Sequence, residues 1–151
     1  MQVHTMSAPT EAKGRWEIIL WGDEFLTGHT GMDADHQRLL SIFNEFSLAV
    51  NAGKGDLIIR NILDELLDYT QYHFEREEMI MQENHFPDYA RHKKMHDTFI
   101  RQIEDVSIHL SVGSDMSAFL LSFLAKWLSG HIMGADHKLG QFLEHRGIAE
   151  H

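Results

Sequence analysis

Histidine is the residue type that asks for an explanation in this chain, with 12 among 151 residues. Imidazole titrates near neutral pH and is the commonest metal ligand. Two pairs are spaced for joint action, His73-x-x-x-Glu77 and His92-x-x-x-His96. Residues four apart on an α-helix lie about one turn from each other on nearly one face, so each pair can offer two donors to one centre. His36 and His131 fall, like these pairs, on an apolar helical stripe. Any one of these histidines taken alone reads as a hydrogen-bonded core residue, and a single His-x-x-x-His is weak in so histidine-rich a chain. Together they are harder to dismiss. Five imidazoles and a carboxylate buried without partners would cost roughly several kcal/mol, a difficulty that a bound metal removes.

The elements that must position these groups follow from the helical period. Met32, His36, Leu39, Phe43, Phe46 and Val50 make the stripe of a first helix, which stops at Asn51-Ala-Gly53-Lys-Gly55. With Asp56 as its N-cap, a second helix carries Ile59, Ile62, Leu63, Leu66, Tyr69, Thr70, His73, Glu77 and Ile80 and ends before Pro87. A third runs through Tyr89, His92, His96, Phe99, Ile103, Val106 and Leu110 to a stop at Gly113. Ser114 or Asp115 caps a fourth, with a stripe of Met116, Phe119, Leu120, Phe123, Leu124, Trp127 and His131; a short helical tail follows from Asp136 to His145. Short links favour antiparallel neighbours, so the fold class is all-α, an up-down-up-down four-helix bundle. In that topology His36, the His73/Glu77 pair, the His92/His96 pair and His131 all lie at one end. Residues 1 to 15 read as a flexible N-terminal arm and residues 16 to 151 as one bundle domain, with Trp16 to Phe25 laid across its end or side.

Composition narrows the chemistry. Thirteen Lys and Arg against 23 Asp and Glu give a formal charge of -10, the wrong sign for nucleic acid or an anionic membrane surface. Cysteine is absent, which excludes disulfides, thiolate metal sites and a cysteine nucleophile, so a metal must be held by nitrogen and oxygen. The longest apolar stretch, Phe119 to Ala125, is far below the ~20 residues of a bilayer span, and the default compartment is the cytoplasm.

The full pattern is Asp33 before His36, then His73-Phe74-x-x-Glu77-Glu78, Tyr89-x-x-His92-x-x-x-His96, and Trp127-x-x-x-His131-Ile132-x-x-x-Asp136. Across about residues 16 to 145 it resembles the hemerythrins, bacteriohemerythrins in particular. The resemblance implies a non-haem di-iron centre with an oxo or hydroxo bridge that binds molecular oxygen reversibly, for storage, delivery or sensing. It implies that His92, His96 and His131 bind one iron, His36 and His73 the other, and that Glu77 and Asp136 bridge. The second iron then has one protein donor fewer, which is where oxygen would bind. Asp136 poses a problem of its own: five residues at ~100° leave it about 140° from the face of His131. A widened π-type turn or a helix end is required, and Gly130 and Gly134 mark a place for it.

The same resemblance places an apolar oxygen pocket against Leu39, Phe74, Trp127, Leu128 and Ile132, each also readable as plain core. His4, His29, His85, His109, His137, His145 and His151 have no assigned role and read as exposed or half-exposed, as do Glu75, Glu78 and Glu83 on a solvated helix face. Three residues depart from the pattern associated with the family: Asp35 where glutamine is usual, His29 where an aliphatic residue is expected, and Leu139 where tyrosine is frequent. They bear on the groups behind the ligands, and so on oxygen affinity and autoxidation.

The same residues allow other functions. A di-iron enzyme acting on oxygen, peroxide or nitric oxide is the main alternative, but ferritin-like sites use Glu-x-x-His, which occurs nowhere in this chain. A sensor would need a separate output protein as its partner. Structural zinc takes four ligands and does not need so many.

Overall fold

A computed structural model describes residues 5–6, 17–108 and 115–147. Most of the expected N-terminal arm, Trp16, His4, His109, Leu110, Gly113, Ser114 and His151 lie outside the described residues. Four long helices carry the fold: α1 (Thr30–Asn51), α2 (Asp56–Glu83), α3 (Tyr89–Ile108) and α4 (Asp115–His131). α1 packs on α2, α2 on α3, α3 on α4, and α4 returns to α1, which closes the expected bundle. After α4 the backbone widens into a π turn, Ile132–Asp136, and continues as α5 (His137–His145).

The helix faces follow the apolar period with one exception. On α1 the buried set includes Met32, His36, Leu39, Phe43 and Phe46, and on α2 Ile59, Leu63, Leu66, Thr70, His73 and Glu77. On α4 the inward face runs through Ser117, Leu120, Leu121, Leu124, Ala125 and Leu128, while Phe119 is exposed. α4 is apolar around most of its circumference, so its period alone does not fix which side turns inward. Phe119 instead stacks on Phe123, ring centroids 5.9 Å apart. Met116–His145 is long and apolar enough by composition to cross a membrane, yet its apolar side chains form one wall of the bundle core.

Helix ends are set by side chains near the site. His29, expected to be exposed, is buried and caps α1: its Nδ1 accepts a hydrogen bond from the Met32 N–H at 3.1 Å. Asp33 ties the preceding loop down, accepting from the Thr27 N–H and hydroxyl, both at 2.8 Å. α2 is capped by Gly55 rather than Asp56, which is its first helical residue. His85 adopts a left-handed conformation (φ 54°) in the exposed turn between α2 and α3, a turn role rather than a ligand role.

Before α1, β1 (Thr5–Met6) pairs antiparallel with β2 (Ile18–Ile19). β2 is held to α1 by Asn44, whose Oδ1 accepts from the Ile19 N–H at 2.9 Å and whose amide donates to the Ile19 carbonyl at 3.0 Å. The expected apolar segment thus lies along the side of the bundle, fixed to α1. Behind α5, a Cβ on Gly140 would collide with the Thr27 carbonyl, so only glycine lets this helix close on the loop.

Two apolar clusters frame the polar residues. The larger contains Leu39, Phe74, Leu128 and Ile132, and the smaller Met32, Met81, Leu139 and Leu143. Along α1, His36 lies between Met32 and Leu39; along α2, Glu77 lies between Phe74 and Met81; Asp136 lies between Ile132 and Leu139. The chain buries a polar layer between two apolar ones.

Candidate metal centre

That polar layer is built from each of the long helices and the π turn. α1 supplies His36, α2 His73 and Glu77, α3 His92 and His96, α4 His131, and the π turn Asp136; all seven are buried. The π turn resolves the angular problem of Asp136, because i→i+5 bonding stacks residue 136 beneath residue 131. Neither Gly130 nor Gly134 is required sterically, since a Cβ at either position would meet no neighbour.

The two carboxylates divide the histidines between them. Glu77 Oε1 lies 3.3 Å from His92 Nε2 and 3.2 Å from His96 Nε2. Asp136 Oδ1 lies 3.0 Å from His92 Nε2 and 3.2 Å from His131 Nε2. Their other oxygens face the remaining pair: Glu77 Oε2 is 2.8 Å from His73 Nε2 and 3.2 Å from His36 Nε2, and Asp136 Oδ2 is 3.0 Å from His36 Nε2. Two donor groups result, each within 4.8 Å, sharing Glu77 and Asp136. One has three imidazoles and the other two.

The chemistry of this set fits metal ions better than it fits itself. His96 Nε2 and His92 Nε2 lie 3.1 and 3.2 Å from His131 Nε2, although a neutral imidazole brings one donor and one acceptor to such contacts. Glu77 Oε1 and Asp136 Oδ1 are fully buried and make no hydrogen bond, despite imidazole nitrogens at 3.0 to 3.3 Å. The distances are short but the directions are wrong for N–H···O bonds. Ligands at about 2.1 Å from a common ion and at right angles to each other lie about 3 Å apart, which is the spacing seen.

Electrostatics agree. Burial lowers the His36 pKa, but the Asp136 and Glu77 carboxylates outweigh it and push it up to about 10. His73 and His92 rise to about 9, burial opposed in each case by Glu77 with Asp35 or Asp136. Burial would raise Glu77 and Asp136, yet the surrounding histidines hold both well below the usual carboxylate range. Metal-free, the site holds His36, His73 and His92 protonated beside two anions, and divalent ions can replace those protons.

Behind the ligands stand two carboxylates: Asp35, whose departure from the family pattern already pointed to the groups behind the ligands, and Glu78, expected on a solvated helix face. Asp35 is buried and its Oδ2 accepts from His73 Nδ1 at 2.8 Å. Glu78 is half-buried rather than solvated, and its Oε2 accepts from His96 Nδ1 at 2.9 Å. The signal for Glu78 was its neighbour: Glu78 follows Glu77, and α3 brings His96 across to it. Glu75, Glu83, His137 and His145 are exposed as expected. Leu139, where tyrosine is frequent in the family, is buried in the smaller apolar cluster.

The five apolar residues assigned to a pocket belong to one continuous cluster, with Trp127 at its half-buried margin. Phe74 lies flat on the His96 ring, centroids 3.7 Å apart and planes 3° from parallel. Trp127 stacks on His131 at 4.3 Å and 11°. Both aromatic rings therefore press on the three-histidine side.

Residues 27–143 match the model of the hemerythrin HHE cation binding domain. Bacteriohemerythrin of Stenotrophomonas maltophilia (strain R551-3) is 31% identical over 119 residues, 79% of this chain and 77% of that protein. Bacteriohemerythrin of Clostridium acetobutylicum is 30% identical over 128 residues, 80% of this chain and 98% of that one. The crystal structure of a wild-type hemerythrin superposes with a TM-score of 0.70 at 29% identity, covering 81% of this chain and 95% of its own. Matched over most of its length in both sequence and helix arrangement, this chain belongs to the hemerythrin family.

Proposed function

We propose that the protein binds molecular oxygen reversibly at a non-haem di-iron centre held by His36, His73, Glu77, His92, His96, His131 and Asp136. The observation that carries this reading is the uneven division of histidines around two shared carboxylates. Both carboxylates can span two ions, and nitrogen with carboxylate donors suits iron. With equal carboxylate supply, the two-histidine side has one protein donor fewer and room for one small exogenous ligand. Iron supplies the electrons that a closed-shell side chain lacks for engaging oxygen.

The chain's own residues make this binding rather than turnover. Leu39, Leu128 and Ile132, with Phe74 and Trp127, bring no group that exchanges protons at neutral pH, and their apolar surface suits a neutral diatomic ligand. Phe74 and Trp127 hold His96 and His131 in fixed planes by stacking.

Absorption spectra of the iron-loaded protein, cycled between deoxygenated and aerobic buffer with an iron count, test the reading. It requires two irons per chain, no haem, and a visible band that appears with oxygen and disappears on its removal over repeated cycles. Repeated turnover of peroxide or nitric oxide without a reversible band would replace it with the enzyme reading.

A further inference from the structure

Asp35 stands outside the donor set, and it is wired to it. Its Oδ2 accepts from His73 Nδ1 at 2.8 Å, on the ring edge opposite the Nε2 that faces Glu77. Its Oδ1 accepts from the Tyr69 hydroxyl at 3.1 Å, and Arg76 Nε lies 3.5 Å from Oδ2. Burial and the Asp35 carboxylate together push the Tyr69 pKa up to about 12, so the phenol stays protonated and remains a donor. The network is directional: Tyr69 donates to Asp35, and Asp35 draws on the His73 N–H.

The three-histidine side has a counterpart of different character. Glu78 accepts from His96 with its side chain 15% exposed and Lys93 Nζ 3.6 Å away, much as Arg76 stands by Asp35, so the two carboxylates differ in their exposure to water and in the Tyr69 hydroxyl on Asp35. Asp35 is 8% exposed, with its partners fixed on α2. A buried carboxylate on the far nitrogen of an imidazole fixes its tautomer and makes its near nitrogen a stronger donor.

We propose that Asp35 is a positioning residue for the two-histidine half: by holding the His73 Nδ1–H it strengthens Nε2 as a ligand there, and Tyr69 moderates that pull. The inference rests on the two-metal reading above. A more basic His73 favours the higher charge on a bound metal, so Asp35 lowers the potential of the centre, and Tyr69, by sharing the Asp35 charge, raises it.

Two variants move in opposite directions. Asp35→Asn keeps the shape and an acceptor oxygen but removes the charge. Tyr69→Phe keeps the ring but returns the full charge of Asp35 to His73. Anaerobic titration of the metal-free chain with ferrous ion alone should show two sites in the native protein. In Asp35→Asn the weaker should lose about 10–100-fold in affinity while the tighter is unchanged. Spectroelectrochemistry of the iron-loaded chains should give a midpoint potential raised in Asp35→Asn and lowered in Tyr69→Phe. If Asp35→Asn fails to fold, the sign of the Tyr69→Phe shift decides alone. A native chain taking up one ferrous ion overturns the two-metal reading and this inference with it. Two native sites with potentials that shift the same way in both variants, or not at all, overturn this inference and leave the two-metal reading standing.

Discussion

The two halves of the centre are fed by the same two carboxylates and differ in nearly everything else. His92, His96 and His131 come from α3 and α4, lie 4.6 to 5.0 Å apart centroid to centroid, and are backed by Phe74 and Trp127 stacked on their faces. His36 and His73 come from α1 and α2, meet edge to face at 4.7 Å, and are backed by the buried Asp35. One half has three imidazoles and the other two, and each has a carboxylate behind one ring, the half-buried Glu78 behind His96 and the buried Asp35 behind His73. The difference teaches that two donor groups sharing the same carboxylates can be unequal in histidines, and under the proposed function that inequality directs a small molecule to one of the two ions.

Glu77→Ala should do the largest damage, because its two oxygens face four of the five histidines across both halves. Elemental analysis should find the chain essentially metal-free, with a melting temperature well below native. Two metals per chain in that variant would break the account of Glu77 as the shared bridge. His73→Ala should remove the ion of the two-histidine half first and leave about one metal per chain. His96→Ala should lose metal as well and destabilise the bundle, since Glu77 and Glu78 would lose a buried partner. The exposed His145→Ala should stay within about 0.5 kcal/mol of native with full metal content.

Next in size is a pH effect. Near pH 7 the metal-free chain holds His36, His73 and His92 protonated, with pKa values of about 10, 9 and 9. Loading at pH 7 should then release about three protons per chain from these groups, measurable by pH-stat titration. Folding raises these pKa values above the unfolded value near 6.5. Their stabilisation of the metal-free chain is full below pH 6.5 and is lost as pH rises through 9 to 10. Thermal melts of metal-free protein should fall across that window, while loaded protein should not follow. Equal curves for both would contradict the protonation of these three histidines.

Leu128→Ala sharpens the comparison from the apolar side. It should cost about 2–5 kcal/mol in stability and speed autoxidation at unchanged iron content, as water and protons reach the two-histidine half. Native autoxidation in that variant would remove Leu128 from the wall. The smallest effect belongs to Gly134→Ala, which meets no neighbour inside the π turn and should leave metal content and spectra unchanged.

Much of this was legible in sequence because spacing on a helix is geometry. The His73/Glu77 and His92/His96 pairs and the lone His36 and His131 fall on buried faces of α1 to α4 as their period dictates. The mismatch of Asp136 with an α-helical period called for a π-type turn or a helix end, and the structure contains the π turn. What escaped was contact between distant elements: Asp35 meets His73 and Glu78 meets His96 only after α1, α2 and α3 pack. His29 escaped because a cap is a local backbone contact that a polar residue type alone does not announce. Phe119 was misplaced because α4, apolar nearly all round, has no unique inward period.

The central claim is that one small ligand binds per pair of metals, at the half with two histidines. Oxygen uptake by the fully reduced, iron-loaded protein, measured with an oxygen electrode beside an iron count on the same sample, tests it directly. Uptake should saturate at one oxygen per two irons per chain and be fully released on deoxygenation. Uptake that continues past one equivalent, or none in protein carrying two irons, would contradict it.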